Sequence, residues 1–246
     1  MKILNKLVLL GLLANSLFAT QTIELLGDKS YPPYSYKENG NAKGVYVDVI
    51  KSAFAKIPEY NVKFKMVAWK RAIAMTKKGI SIGFFPPYYS QERTSWSKFS
   101  EPIIDETSSV YAKETTLKGK VNFPKDFIGL TVCMNRGFTP MTGGKEFADA
   151  LKKKQIKLIE ANSNKDCLAR VKRGLADFYI NDQLIDISSF PVIKRGMEVN
   201  SNFGHIGFTL QESKYPFMKD LQAKFNTIIK QMKKDGSIDK IVQKYK

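Results

Sequence analysis

The sequence predicts an α/β protein built from two similar halves. Three observations carry that reading. Short apolar strands alternate with amphipathic helices along most of the chain. One helix-to-strand joint occurs twice, and the unbroken apolar run near the N-terminus is too short to span a bilayer.

The elements follow in order. Thr22 to Leu26 reads as a strand, and Tyr31-Pro32-Pro33-Tyr34 as a stiff loop, since each proline fixes its own φ and restrains the residue before it. Gly44 opens a helix from about Tyr46 to Lys56, with Val49, Ile50, Ala53, Phe54 and Ile57 on one face. Val62, Phe64 and Met66 alternate with Lys63 and Lys65, the pattern of a strand with one wet face. Trp69 to Lys78 is helical and stops at Gly79, and Ile80 to Phe85 reads as a buried strand.

The second half repeats the theme. Leu130 to Met134 and Ile156 to Glu160 read as strands, Lys145 to Lys154 and Asn164 to Arg173 as helices, and Phe178 to Ile180 as a further strand. In Lys77-Lys78-Gly79 and Lys172-Arg173-Gly174, cations in the last turn face the negative end of the helix dipole and glycine supplies the left-handed stop. Ser108 to Ala112 and Ile206 to Leu210 are the stretches expected to carry the chain between halves. A closing amphipathic helix uses Phe217, Leu221, Phe225, Ile228, Ile229 and Met232, with a last short helix around Ile238, Ile241 and Val242.

Lys2 and Lys6, the apolar run Leu7 to Ala14, and Ala19 have the order of an export leader over residues 1–19. No cysteine follows the run, so a lipid anchor at that site is not expected. An oxidising destination permits Cys133 and Cys167 to form one bridge within the second half, two buried thiols being the other possibility. With a single histidine, His205, a zinc site is not supported, and no metal or cofactor is expected. The chain carries 40 Lys and Arg against 23 Asp and Glu, and only two of these charges leave with the leader. The lysines are spread along helices without interleaved aromatics, so the charge reads as solvated surface open to an anionic membrane or acidic partner, not as a nucleic-acid site.

Four segments resemble the bacterial extracellular solute-binding proteins of family 3, the polar amino-acid binders of ABC importers. They are Asp28 to Tyr34; Gly44-Val45-Tyr46-Val47-Asp48-Val49; Ser90-Gln91-Glu92-Arg93 with Phe99-Ser100-Glu101-Pro102; and Gly174-Leu175-Ala176-Asp177 through Asp182. The resemblance implies a two-lobed periplasmic-binding-protein fold, each lobe a mostly parallel sheet flanked by helices. Residues 20–110 with 208–246 form the first lobe and 111–207 the second. It further implies a periplasmic, monomeric protein that closes around an amino-acid-like molecule and delivers it to an ABC transporter permease.

Residue by residue, the resemblance assigns Arg93 to the ligand carboxylate, a task that suits the planar two-donor fork of a guanidinium. Asp182 takes the ammonium, Thr139 after Gly137-Phe138 donates from the opposite lobe, and Tyr31 packs over the ligand side chain. Trp69 is a candidate second wall. Each has a plainer alternative: a surface arginine paired with Glu92 or Glu101, an N-cap aspartate, and core aromatics. Where the family places small hydroxyl residues before the arginine, this chain has Pro86, Pro87 and Tyr88, a tighter and more aromatic wall. Two further readings stay open: an exported dehydratase on the same scaffold, with Asp182 as its acid, and a sensing module for a membrane receptor.

Overall fold

The computed structural model describes residues 20–245; the expected leader lies outside them. The first half begins with strand β1 (Gln21–Asp28) and a small antiparallel sheet of β2 (Ser30–Tyr31), β3 (Ser35–Glu38) and β4 (Asn41–Lys43). Helix α1 (Val45–Phe54), strand β5 (Tyr60–Val67), helix α2 (Trp69–Lys77), strand β6 (Gly83–Phe85), helix α3 (Gln91–Thr94) and strand β7 (Ser97–Phe99) follow. The second half holds β8 (Ile104–Lys113), α4 (Glu114–Leu117), β9 (Thr131–Asn135), α5 (Lys145–Lys152), β10 (Lys157–Ala161), α6 (Asn164–Lys172), β11 (Phe178–Asp182) and β12 (Ile193–Gly204). The chain then returns through β13 (Gly207–Thr209) and ends in α7 (Met218–Lys234) and α8 (Ser237–Val242).

Two five-stranded sheets result, ordered β5-β1-β6-β13-β7 and β10-β9-β11-β8-β12. Each is the centre of one lobe. Strand β1 is covered on both faces, and Leu25 and Leu26 are both fully buried, as an interior strand between parallel neighbours requires. Strand β5 lies at the edge, which is why its lysines alternate with apolar residues.

The sheets are mixed where mostly parallel ones were expected. In the first, β1 pairs parallel with β5 and β6, while β13 runs antiparallel to β6 and β7. In the second, β9 pairs parallel with β10 and β11, while β8 runs antiparallel to β11 and β12. Parallel neighbours need a crossover helix between them. The antiparallel strands are those that arrive from the other lobe without one.

The repeated joint is one motif used twice. Ile80 N–H donates to Met75 O and Leu175 N–H to Arg170 O, both at 2.9 Å, around Gly79 (φ +64) and Gly174 (φ +75). This hydrogen bonding keeps Ile80 in the helix exit, so β6 begins at Gly83 and not at Ile80. Ser108–Ala112, expected as a crossing, lies inside β8; the chain crosses before Ile104 and again between Gly204 and Gly207. Strand β12 was not legible, because Lys194, Arg195, Glu198 and Asn200 break its apolar alternation.

The expected face of α7 packs on the first lobe, with Leu221, Phe225, Ile229 and Met232 buried and Phe225 5.6 Å from Phe54 of α1 between ring centroids. In the second lobe Cys133 and Cys167 are joined, tying β9 to α6 across a sequence separation of 34. A loop of that length implies about 3–4 kcal/mol of stabilisation from restricting the unfolded chain. The Cys133→Ala/Cys167→Ala variant should therefore lose about that much unfolding free energy in urea, with a steeper slope because its unfolded chain is less compact.

Candidate functional site

Ligands in such folds sit outside the carboxyl ends of the parallel strands. Here β1 ends at Asp28, β6 leads into Pro86–Tyr88, and β9 leads into Arg136–Thr139. These ends converge. Tyr31, Trp69, Pro86, Tyr88, Arg93, Phe138 and Thr139, all expected from sequence, line one cavity between the lobes, together with Asp28 and Thr142. Its volume is about 20 Å³, room for one water molecule.

Arg93 is held from several directions. Ser90 caps α3, its hydroxyl accepting from the Arg93 N–H at 3.3 Å. Arg93 is 6% exposed; Nη1 donates to Tyr88 O and Nη2 to Gly137 O, both at 3.0 Å. The surface pairing with Glu92 or Glu101 is not formed, and Glu101 instead meets Lys230 at 3.2 Å. Trp69 Nε1 also donates to Gly137 O, at 3.1 Å, and the guanidinium carbon sits 5.8 Å from the Trp69 ring centroid. One carbonyl of the second lobe therefore receives two donors from the first. Burial lowers the arginine to about 10, against a smaller opposing effect of Glu92.

Gly137 has φ +85, and a Cβ there would sit 3.3 Å from Trp69 Cδ1, so the position favours glycine on two counts. Its N–H donates to Glu160 Oε1 at 3.2 Å. Thr139 caps the turn that follows: its hydroxyl accepts from Met141 N, and its carbonyl accepts from the Thr142 hydroxyl at 2.8 Å.

Asp182 is not among the cavity-lining residues. It is fully buried at the end of β11, where Oδ1 accepts from Leu184 N–H at 2.9 Å and from the Tyr34 hydroxyl. That first bond makes it the start of an Asx turn. Its backbone carbonyl accepts from Tyr111 Oη at 2.6 Å, and burial pushes its carboxyl up to about 7. The carboxylate that does share the cavity with Arg93 is Asp28. It accepts from Ser30 N–H at 3.0 Å, and burial raises it also to about 7. Asp28 was legible in principle as the acid at the carboxyl end of the first strand.

Beneath the cavity lies a group that sequence reading missed. Glu106 of β8 is 1% exposed. Its Oε2 accepts from Tyr31 Oη at 2.7 Å and from Tyr88 Oη at 2.6 Å, and its Oε1 accepts from the Tyr46 hydroxyl. The signal was an acid at an inward position between Ile104 and Ser108 on a buried strand. Burial pushes Glu106 up to about 7, with the three phenol bonds acting in the opposite direction. His205 is buried, with Nδ1 2.8 Å from Ser100 O and its ring edge-on to Phe99. Among the described residues no His, Cys, Asp and Glu cluster suited to a metal occurs, and no helix is long and apolar enough to cross a membrane.

Residues 23–246 match the sequence profile of the bacterial extracellular solute-binding proteins, family 3. The chain belongs to this family. Among relatives of this family 3 protein is the probable amino-acid-binding protein YxeM of Bacillus subtilis strain 168, 25% identical over 88% of this chain and 80% of the relative. The arginine-binding extracellular protein ArtP of the same strain is 24% identical over 87% of this chain and 82% of that protein. Among solved structures, a histidine kinase sensor domain with similarity to periplasmic binding proteins superposes with a TM-score of 0.75 at 19% identity, covering 91% of this chain and 95% of that one. This last likeness carries the two-lobed fold.

The raised Glu106 fixes the sign of a pH effect. An acid whose folded pKa of about 7 exceeds its unfolded value of 4.5 retains protons on folding, so its contribution to stability falls as pH rises between those values. From about pH 5 to about pH 8, Glu106→Gln should therefore gain on the parent protein by about 1–3 kcal/mol, read as the pH-dependent difference in unfolding free energy.

Proposed function

We propose that this family 3 protein captures an α-amino acid between its lobes in the periplasm and hands it to an ABC-type permease, working as a monomer. One observation carries the reading: a buried guanidinium whose hydrogen-bond acceptors are backbone carbonyls lines the same small cavity as a buried carboxyl. A zwitterion supplies the two opposite charges. Its carboxylate would take the Arg93 donors now given to Tyr88 O and Gly137 O, with the Thr139 hydroxyl donating from the other lobe. The ammonium, expected at Asp182, would meet Asp28 instead.

In this reading the bodies that move are those carrying the two sheets, and the chain hinges at its two crossings. Hydrogen bonds to charged groups contribute about 1.5–3 kcal/mol each. A molecule making them to both lobes favours the closed arrangement by the difference between its closed and open contacts. No chemical step is proposed, in keeping with a family and curated relatives described as binding proteins. The kinase sensor domain among the solved structures favours a second reading, in which the closed form reports to a membrane receptor. Crosslinking in the native envelope separates the two: a permease partner supports the first, a chemoreceptor or kinase the second.

Thermal unfolding with each of the twenty standard L-amino acids should show a raised midpoint for at least one, the shift growing with concentration by mass action. No shift across the set would remove the amino-acid reading. Arg93→Ala should still melt cooperatively yet bind that amino acid about tenfold or more weakly in calorimetry, since a charged hydrogen-bond pair is lost. Unchanged affinity would remove the clamp.

A further inference from the structure

The positive charge of this protein is unevenly distributed. Strands β9 and β10 pair in parallel from Thr131 and Lys157 to Asn135 and Ala161. Phe138 and Thr139 of the cavity follow the end of β9, so the starts of these strands lie at the opposite pole of the second lobe. Three loops meet there: residues 118–130 before β9, 152–157 from α5 into β10, and 172–177 from α6 into β11. Gly129 N–H donates to Gln155 O and Asp177 N–H to Thr131 O, both at 2.8 Å, which joins the loops into one surface. Together they hold nine lysines and arginines against two acids, Asp126 and Asp177. Both acids are engaged by the backbone. Asp126 Oδ2 accepts from the Val121 and Asn122 N–H groups at 2.8 Å, and Asp177 Oδ2 from Thr131 N–H at 2.7 Å.

The first lobe balances many of its cations. Lys224 meets Glu59 and Asp220, Lys219 meets Glu212, and Lys233 meets Asp105 of β8. Among the described residues, no cation of the three loops has a carboxylate partner. Lys120 lies over the Phe127 ring, 5.2 Å from its centroid; the other eight cations are exposed. Clusters of about four to eight Lys and Arg are the composition that anionic lipid attracts.

Charge alone would suit any acidic partner, and apolar side chains decide between them. Val121 is 77% exposed, Leu175 56% and Ile128 45%. Single exposed apolar residues are ordinary, but these three project from loops among unpaired cations. The loop carrying Val121 and Ile128 is rooted in the core, with Phe123 5.4 Å from Phe127 and 5.3 Å from Phe147 between ring centroids. A lipid interface accepts such projections without a matching pocket, while lysine stems extend their ammonium groups to the phosphates.

We propose that this pole is a membrane-contact surface: its lysines bind the headgroups of an anionic phospholipid bilayer while Val121, Ile128 and Leu175 enter the interface. The inference goes beyond solute capture and does not depend on it, since the cavity lies at the other end of the same strands.

The test is cosedimentation of residues 20–246 with lipid vesicles. The leader is omitted because its apolar run would itself bind lipid. The protein should bind phosphatidylcholine vesicles containing about one-quarter phosphatidylglycerol, and not phosphatidylcholine alone. Binding should weaken at least about tenfold between roughly 0.1 and 0.5 M salt. Lys152→Gln/Lys153→Gln/Lys154→Gln should bind about 100-fold more weakly, from roughly fivefold per lysine at an anionic surface. Val121→Ser/Leu175→Ser keeps every charge and should bind about tenfold more weakly. The control is Lys70→Gln/Lys77→Gln/Lys78→Gln, which removes the same charge from α2 of the first lobe, beside the matching joint and the exposed Ile80. It should stay within about threefold of the parent. The substituted side chains are exposed, so every variant should melt as the parent does.

Equal losses in the two triple-lysine variants would make the attraction a property of net charge and overturn the assignment of the pole. Unchanged binding of Val121→Ser/Leu175→Ser would overturn the insertion. No binding to phosphatidylglycerol vesicles would overturn the lipid partner, and a photo-crosslinker at Val121 that captures an acidic envelope protein would assign the pole to a protein instead. Amino-acid binding in the cleft is read by calorimetry without vesicles, so failure here and failure of the capture reading are told apart.

Discussion

A guanidinium enclosed between two lobes is the constraint on which the rest of this structure depends. Arg93 loses its hydration on burial, and the acceptors it finds are two backbone carbonyls, one from each lobe. The geometry that allows this is local and specific. The Ser90 cap sets the start of α3, a left-handed Gly137 turns its carbonyl toward Trp69 and Arg93, and Glu160 secures the same residue through its N–H. Neutral acceptors offset a buried cation less well than an anion does. An anionic group entering the cavity would compete with the protein's own backbone for the same donors.

Below this clamp the floor of the cleft is built from phenols and carboxyls in place of aliphatic side chains. Tyr31 stacks on Tyr34 at 4.9 Å; Tyr34 bonds Asp182, while Tyr31, Tyr46 and Tyr88 bond Glu106. Such a network is stabilising only while its members are satisfied, because an unmatched polar group in a low-dielectric interior is costly. The two acids sit on β11 and β8, neighbouring strands of the second sheet, and their phenols come from the first lobe. Any parting of the lobes would separate these phenols from their acids.

Much of the fold was legible because its signals are local. The lysine-alternating β5, the α7 stripe and the two glycine joints each follow from a few neighbouring residues, and each appears where the sequence places it. The limits of β8 and the presence of β12 were not legible, since pairing partners and bulges decide them and residues 193–204 are largely polar. The same distinction applies to the cavity. Residues that follow strand ends or carry a family pattern, such as Arg93 and Thr139, were singled out from sequence and line the cavity. Glu106 is 75 residues from Tyr31 in sequence, and no local pattern connects them. Asp182 shows the opposite failure: its position after a strand was read correctly, but the turn it starts and the tyrosine over it keep it out of the cavity.

The size of the cavity bears on kinetics. A space of about 20 Å³ admits a water molecule and no amino acid. If an amino acid is captured here, as proposed, it does not fit the arrangement seen, and the halves would have to part to admit it. At low guest concentration encounter sets the pace. At high concentration the rate of that parting would become the ceiling on uptake.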